Sequence, residues 1–198
     1  MRSPWTMVGV FMLVSSALGA GPDISTPDAK PYEVVGSVEQ HPSNGRTARH
    51  WYIVSESKSF EEHAQTLVRA ATDLYREHGL DLTYVTLYPS KTLVGSGLRY
   101  ATGFYAADGR AGEGFPGADP DYRATWSVLA TRGVLGPTQL KAAELRMRLA
   151  PEFPSREMAS SSGVDEKALR SRIAQELHFD VSAVQPPHLE LARWQIEP

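Results

Sequence analysis

Six histidines, His41, His50, His63, His78, His178 and His188, are the side chains best placed to do chemistry. None forms His-x-x-x-His or His-Glu-x-x-His, the spacings that set two imidazoles on one helical face for zinc. His63 and His78 share one helical pattern but lie about four turns apart. His78 falls at the C-terminal end of that pattern, where the helix dipole favours a protonated imidazole. His50 is different. Strand alternation puts it on the side opposite Trp51, next to Tyr52, where it can point into a groove. An acid/base pair would need a carboxylate within hydrogen-bond reach of a shared substrate. The candidates are Asp108, Asp119 and Asp121, all in one Gly-rich stretch.

That stretch, residues 107–121, places Gly109, Gly112, Gly114 and Gly117 among Asp108, Glu113, Asp119 and Asp121. Oxygen ligands on a loop can hold calcium, but the ordered alternation of an EF-hand loop is missing. No Gly-Lys-Ser/Thr marks a phosphate cradle, and the loop joins two strands instead of opening a helix. Ser55-Glu56-Ser57-Lys58 has the Ser-x-x-Lys spacing of penicillin-recognising enzymes. Ser55 precedes the helix, however, and neither Ser-Asp-Asn nor Lys-Thr-Gly follows, so the segment reads as helix entry. A Gly-x-Ser-x-Gly elbow is absent. Cysteine is absent too, which excludes disulfides, thiolate metal sites and a cysteine nucleophile. Arg146, Arg148, Arg170 and Arg172 form the densest basic set, on two helices with Glu144 and Glu176 among them. They read as a solvated face. No catalytic residue, metal or cofactor is assigned, and binding residues are left open.

The elements that would position these groups follow from periodicity. Phe60, Ala64, Leu67, Val68, Ala71, Leu74, Tyr75 and His78 recur at spacings of three and four, one stripe of an amphipathic helix over residues 59–78. Ser59 and Glu62 form a capping box, and Gly79 suits the left-handed C-cap. Residues 47–55 and 82–88 read as strands on either side, so the three make a strand–helix–strand unit with a parallel pair. Tyr32, Val34, Gly36 and Val38 are expected on one face of an earlier strand, turned by Asn44-Gly45. Leu98, Tyr100, Thr102, Phe104 and Ala106 are expected on one face of a later strand, and Trp126, Val128 and Ala130 on one face of its partner. Arg99 and Tyr105 then fall on the water-facing side of that hairpin. Two helices follow, with Leu140, Ala143 and Met147 as the stripe of one, and Leu169, Ile173 and Leu177 as that of the other. Pro151 and Pro154 stop the first, Asp165 caps the second, and residues 189–196 end the chain as a strand.

Residues 1–20 carry Arg2, an apolar run from Met7 and small residues at Ala17 and Gly19, the layout of a secretory signal. The run is shorter than the ~20 residues a membrane span needs. Export from a bacterial cell, to the periplasm or beyond, is expected. Arginine exceeds lysine, 15 to 5, which fits that origin. Residues 21–31 form a Pro-rich spacer. Residues 32–198 are expected as one α+β domain with a mixed, mostly antiparallel sheet of about five strands. One long helix packs on it, and the two C-terminal helices, in residues 136–198, are expected either to cover more of the sheet or to form a sub-lobe. Hydrophobic residues at 41% and charged residues at 22% exclude global disorder, and a net charge of −3 gives no footprint for nucleic acid.

Residues 47–131 resemble a bacterial exported domain family of unassigned function. The likeness rests on His50-Trp51-Tyr52-Ile53-Val54, the Ala-rich helix from Ala64 to Tyr75, Thr83-Tyr84-Val85-Thr86-Leu87, and the strand from Arg99 to Ala107. It implies a compact α+β module with no assigned reaction. The expected function is a non-catalytic binding or interaction module of the cell envelope, with an envelope or extracellular protein or a small ligand as partner. Its surface would be the hairpin side bearing Arg99, Tyr105 and the Gly-rich loop. An exported hydrolase using His50 and a loop carboxylate is the alternative, and a secreted effector a further one.

Overall fold

The computed structural model describes residues 24–42, 45–111, 124–154 and 163–195. The signal-like residues 1–20, most of the Gly-rich loop, Asn44 and Ser160 to Ser162 lie outside them. The apolar ridge forms helix α1 (Phe60–His78), opened by Ser59, whose Oγ accepts from the Glu62 amide at 3.2 Å. The Glu62 carboxylate reaches back one residue further than expected, to the Lys58 amide at 2.6 Å. Gly79 closes the helix at φ 62°, ψ 34°, a left-handed cap that glycine adopts without steric cost.

Among the described residues six strands make one sheet, in chain order: β1 (Tyr32–Gln40), β2 (Ala48–Ser55), β3 (Leu82–Tyr88), β4 (Ala101–Ala106), β5 (Trp126–Thr131) and β6 (Leu191–Arg193). β2 and β3 are parallel because α1 carries the chain back between them. All other neighbours are antiparallel. The architecture is the expected α+β fold. β6, three residues long beside β5, falls within the strand expected over residues 189–196.

Leu67, Val68 and Ala71 of α1 are fully buried on Trp51, Ile53, Val85 and Val128, with Tyr75 half-buried at the edge. Burying each large side chain stabilises the fold by roughly 1.5–3 kcal/mol before ordering entropy is charged. Gly103 makes this close approach possible, since a β-carbon there would lie 3.0 Å from Leu67 Cδ2.

Side-chain assignments differ from those expected in β1, β4 and α2. In β1 the register slips between Val34 and Gly36. Val34 therefore opposes Ile53 while Gly36 and Val38 oppose Tyr52 and His50, so the four residues do not share a face. In β4 the helix-facing residues are Ala101, Gly103 and Tyr105, not the even-numbered set. Leu98 and Tyr100 precede the strand, so their apolar character says nothing about its alternation. Tyr105 is 6% exposed, wedged against Tyr75 and Trp126, and is not on the water-facing side.

In α2 (Pro137–Leu149) Met147 is exposed. Leu145 and Leu149 turn instead onto α3 (Glu166–Leu177), where Leu169 and Ile173 form a second apolar cluster. Asp165 caps α3 through the Ala168 amide at 3.0 Å. α2 reaches the main core through Leu140 and Ala143. Among the described residues no helix is long and apolar enough to cross a membrane.

Candidate functional site

With α1 on one face of the sheet, strand alternation delivers a second set of side chains to the other. β2 supplies His50 and Tyr52. β3 supplies Tyr84, Thr86 and Tyr88, β4 supplies Thr102 and Phe104, and β5 supplies Ser127 and Leu129. The register places Thr86 directly opposite both Tyr52 and Thr102. His50 Nε2 reaches diagonally to Thr86 Oγ1 at 2.8 Å, and Thr86 Oγ1 meets Thr102 Oγ1 at 3.1 Å. One polar chain thus crosses three strands.

Aromatic rings frame this chain. The His50 ring lies 4.8 Å from Tyr52 and 5.9 Å from Tyr84, centroid to centroid. Tyr52 meets Tyr88 edge-on at 6.0 Å, and Tyr84 meets Phe104 at 5.7 Å. Burial pushes the Tyr84 phenol up to about 12, against a smaller opposing pull from Arg46. Burial, and then the Arg99 guanidinium, hold His50 below the ordinary imidazole value, so it is neutral at pH 7.

The chemistry this arrangement permits is limited. A His–Thr pair at 2.8 Å has the reach of a base and its nucleophile. Yet Thr86 is 2% exposed, and its hydroxyl is shared with Thr102. The imidazole atom left for an incoming group is Nδ1, which has no hydrogen-bond partner among the described residues.

The other candidate residues sit elsewhere. Asp108 is held by Arg46 at 2.7 Å and accepts from the Arg110 amide at 3.0 Å, which ties down the base of the Gly-rich loop. Its charge is not among those acting on His50. Asp119 and Asp121 lie outside the described residues. Ser55 Oγ donates to the Pro31 carbonyl at 2.8 Å, and Lys58 enters the helix cap, consistent with a structural role for that motif. His78 stacks on Trp51 at 4.8 Å. Arg146 pairs with Glu166, and Arg148 and Arg172 share Glu176, so three of the four clustered arginines are ion-paired. Among the described residues no three His, Asp or Glu side chains gather as a metal site.

Sequence reasoning passed over two features. Thr86 and Thr102 looked like ordinary strand residues. Only the alternation of polar and apolar positions across β2, β3 and β4 together marks them as one row. His63 reads from the sequence as a helix residue outside the apolar stripe. It is wholly buried, stacked on Tyr100 at 4.5 Å, with Nδ1 3.0 Å from the Thr131 carbonyl and Nε2 3.2 Å from the Ser57 carbonyl.

The fold and this face define an α+β domain whose sheet carries one long helix on one side and a row of imidazole, hydroxyl and aromatic groups on the other. The chain belongs to the DUF4875 family, described as a domain of unknown function, whose model matches residues 27–189. That match extends well beyond the segment from 47 to 131 on which the sequence resemblance rested. Among solved structures, the chain is similar to a DUF487 family protein from Desulfovibrio piger ATCC 29098. The TM-score is 0.66 at 20% identity, covering 84% of this chain and 96% of that one. At that identity the likeness concerns the fold alone. No curated protein matches the chain.

Proposed function

We propose that the protein is an exported, non-catalytic binding module of the bacterial cell envelope, and that the helix-free sheet face around His50 is its recognition surface. The observation that carries this reading is the row from His50 through Thr86 to Thr102, framed by Tyr52 and Tyr88 on a face that α1 does not cover. Binding sites pair apolar and aromatic walls with a few placed polar groups, and this face has that composition. A hydrolase built on His50 would need a carboxylate beside it. Among the described residues the only charge acting on His50 is the Arg99 cation, and Asp108 is held by Arg46 instead. Residues 1–20 support export by their charge, apolar length and small-residue exit.

Two measurements test the reading. Fractionation of producing cells is expected to place the protein outside the cytoplasm, with its N-terminus cut after Gly19. Tagged protein mixed with envelope extract is expected to capture a component that Tyr52→Ala loses while melting at an unchanged temperature. Cytoplasmic retention of the intact chain refutes export. Equal capture by wild type, Tyr52→Ala and His50→Gln refutes the surface.

A further inference from the structure

We propose that a second copy of this chain docks on the free edge of β1, by antiparallel strand pairing about a two-fold axis at Val38. Such a dimer is independent of what the helix-free face recognises.

Among the described residues nothing pairs with the outer side of β1. An unpaired strand offers a row of backbone amides and carbonyls to any chain that can add to it. β6, at the opposite margin, is three residues long, whereas β1 runs for nine. Edges are ordinarily blunted by short length, proline or outward lysine. β1 holds no proline and no cation, and both its acids are drawn into pairs, Glu33 with Lys91 at 2.7 Å and Glu39 with Arg49 at 2.6 Å. Its one guard is the slip between Val34 and Gly36, and beyond it residues 36–40 keep a regular register with β2.

That regular run fits its own copy. Folded about Val38, Ser37 of one chain opposes Glu39 of the other and Gly36 opposes Gln40, so no like charges meet. Folded about Gly36 instead, Glu33 would oppose Glu39, and like charges directly opposite are destabilising. Arg49 holds Glu39 through Oε1, which leaves Oε2 to accept from the Ser37 hydroxyl of the second copy. Val38 is 47% exposed in the single chain, and at the axis it meets its own copy, so two open valines cover each other.

The approach to this edge is open among the described residues. α1 packs chiefly over β3, β4 and β5, away from β1. Asp28 and Lys30 run along α1, bonded to Gln65 and Thr66, and not along the outer edge of β1. A two-fold axis perpendicular to the sheet makes the contact isologous, the same patch on both copies. The two six-stranded sheets then continue into each other, with both helix-free faces on one side.

Because the chain has no cysteine, a single introduced thiol reports on one contact. Directly opposed residues of an antiparallel pair lie about 4.5–5.5 Å apart at Cα, inside the roughly 4.4–6.8 Å that a disulfide spans. Purified Val38→Cys is expected to crosslink to a dimer on mild oxidation. Val34→Cys, 39% exposed on the same strand but beyond the slip, is expected to run as a monomer on non-reducing denaturing gels. Sedimentation equilibrium of the unaltered protein is expected to give twice the chain mass. Val38→Lys, which sets two ammonium groups against each other at the axis, is expected to weaken association by about tenfold or more, with an unchanged circular dichroism spectrum. A monomer at every concentration, or equal crosslinking of Val34→Cys and Val38→Cys, overturns the proposal. So does a Val38→Cys chain crosslinked to a different polypeptide in producing cells, which assigns the edge to a foreign strand.

Discussion

Gly103→Ala tests how closely α1 and the sheet are fitted. The added β-carbon would fall well inside van der Waals contact with the Ser127 carbonyl oxygen, 3.0 Å from Leu67 Cδ2 and 3.3 Å from Val128 Cα. Two of these three neighbours are backbone atoms of β5 and cannot rotate away. Relief therefore requires β4 and β5 to part or α1 to lift, and overpacking of this kind costs up to ~3 kcal/mol. Replacing glycine restricts the unfolded chain and returns ~0.4–1 kcal/mol. The net loss is about 2 kcal/mol, a fall of ~4–8 °C in melting temperature for a domain of this size. Gly36→Ala is the matched control. Its β-carbon meets only Tyr52 Cδ2 at 3.6 Å, an ordinary contact. That variant should melt at or slightly above the parent temperature. Calorimetry on both variants decides the matter. A Gly103→Ala midpoint within about 1 °C of the parent refutes the packing argument.

Leu67→Asp, which puts a charge into a fully buried position of the helix ridge, is expected to abolish cooperative unfolding by circular dichroism. Ser59→Ala removes the N-cap of α1 and should lower stability by about 1 kcal/mol in denaturant titrations, with an unchanged m-value. Acidification should destabilise the protein below the imidazole value of 6.5. Burial holds His63 below it in the fold, against smaller opposing pulls from the Thr131 and Ser57 carbonyls, so the unfolded chain takes up the proton first. Its stabilising contribution is whole above pH 6.5 and is lost as pH falls through the folded-state value. His50, lowered by burial and Arg99, acts in the same direction. Melting temperatures measured from about pH 7 to 5 should fall, and His63→Gln should flatten the slope. An identical slope in that variant would exclude His63 as a source.

The helix and its partners were legible because one stripe of eight residues can be buried in only one way. Ser59 and Gly79 then fixed its ends chemically. β4 misled because Leu98 and Tyr100 are apolar and correctly spaced, yet they serve the core from outside the strand, Tyr100 against His63 and Leu135. Nothing local tells a reader where pairing begins. The slip in β1 is equally silent, since an extra residue at Val35 leaves the apolar alternation looking intact. His50 was recognisable as facing away from Trp51. Its hydroxyl partners were not, because Thr86 and Thr102 are 36 and 52 positions away and meet it only through the sheet register.

Because the strands lie side by side in the order they are synthesised, each new one finds its neighbour already laid down, and no later segment must be threaded between two earlier ones. Such a sheet can grow from one end while the rest of the polypeptide is still passing through a narrow exit, with pauses for α1 after β2 and for α2 and α3 before β6. It also leaves the first and last strands as the two free margins, the places where assembly starts and stops.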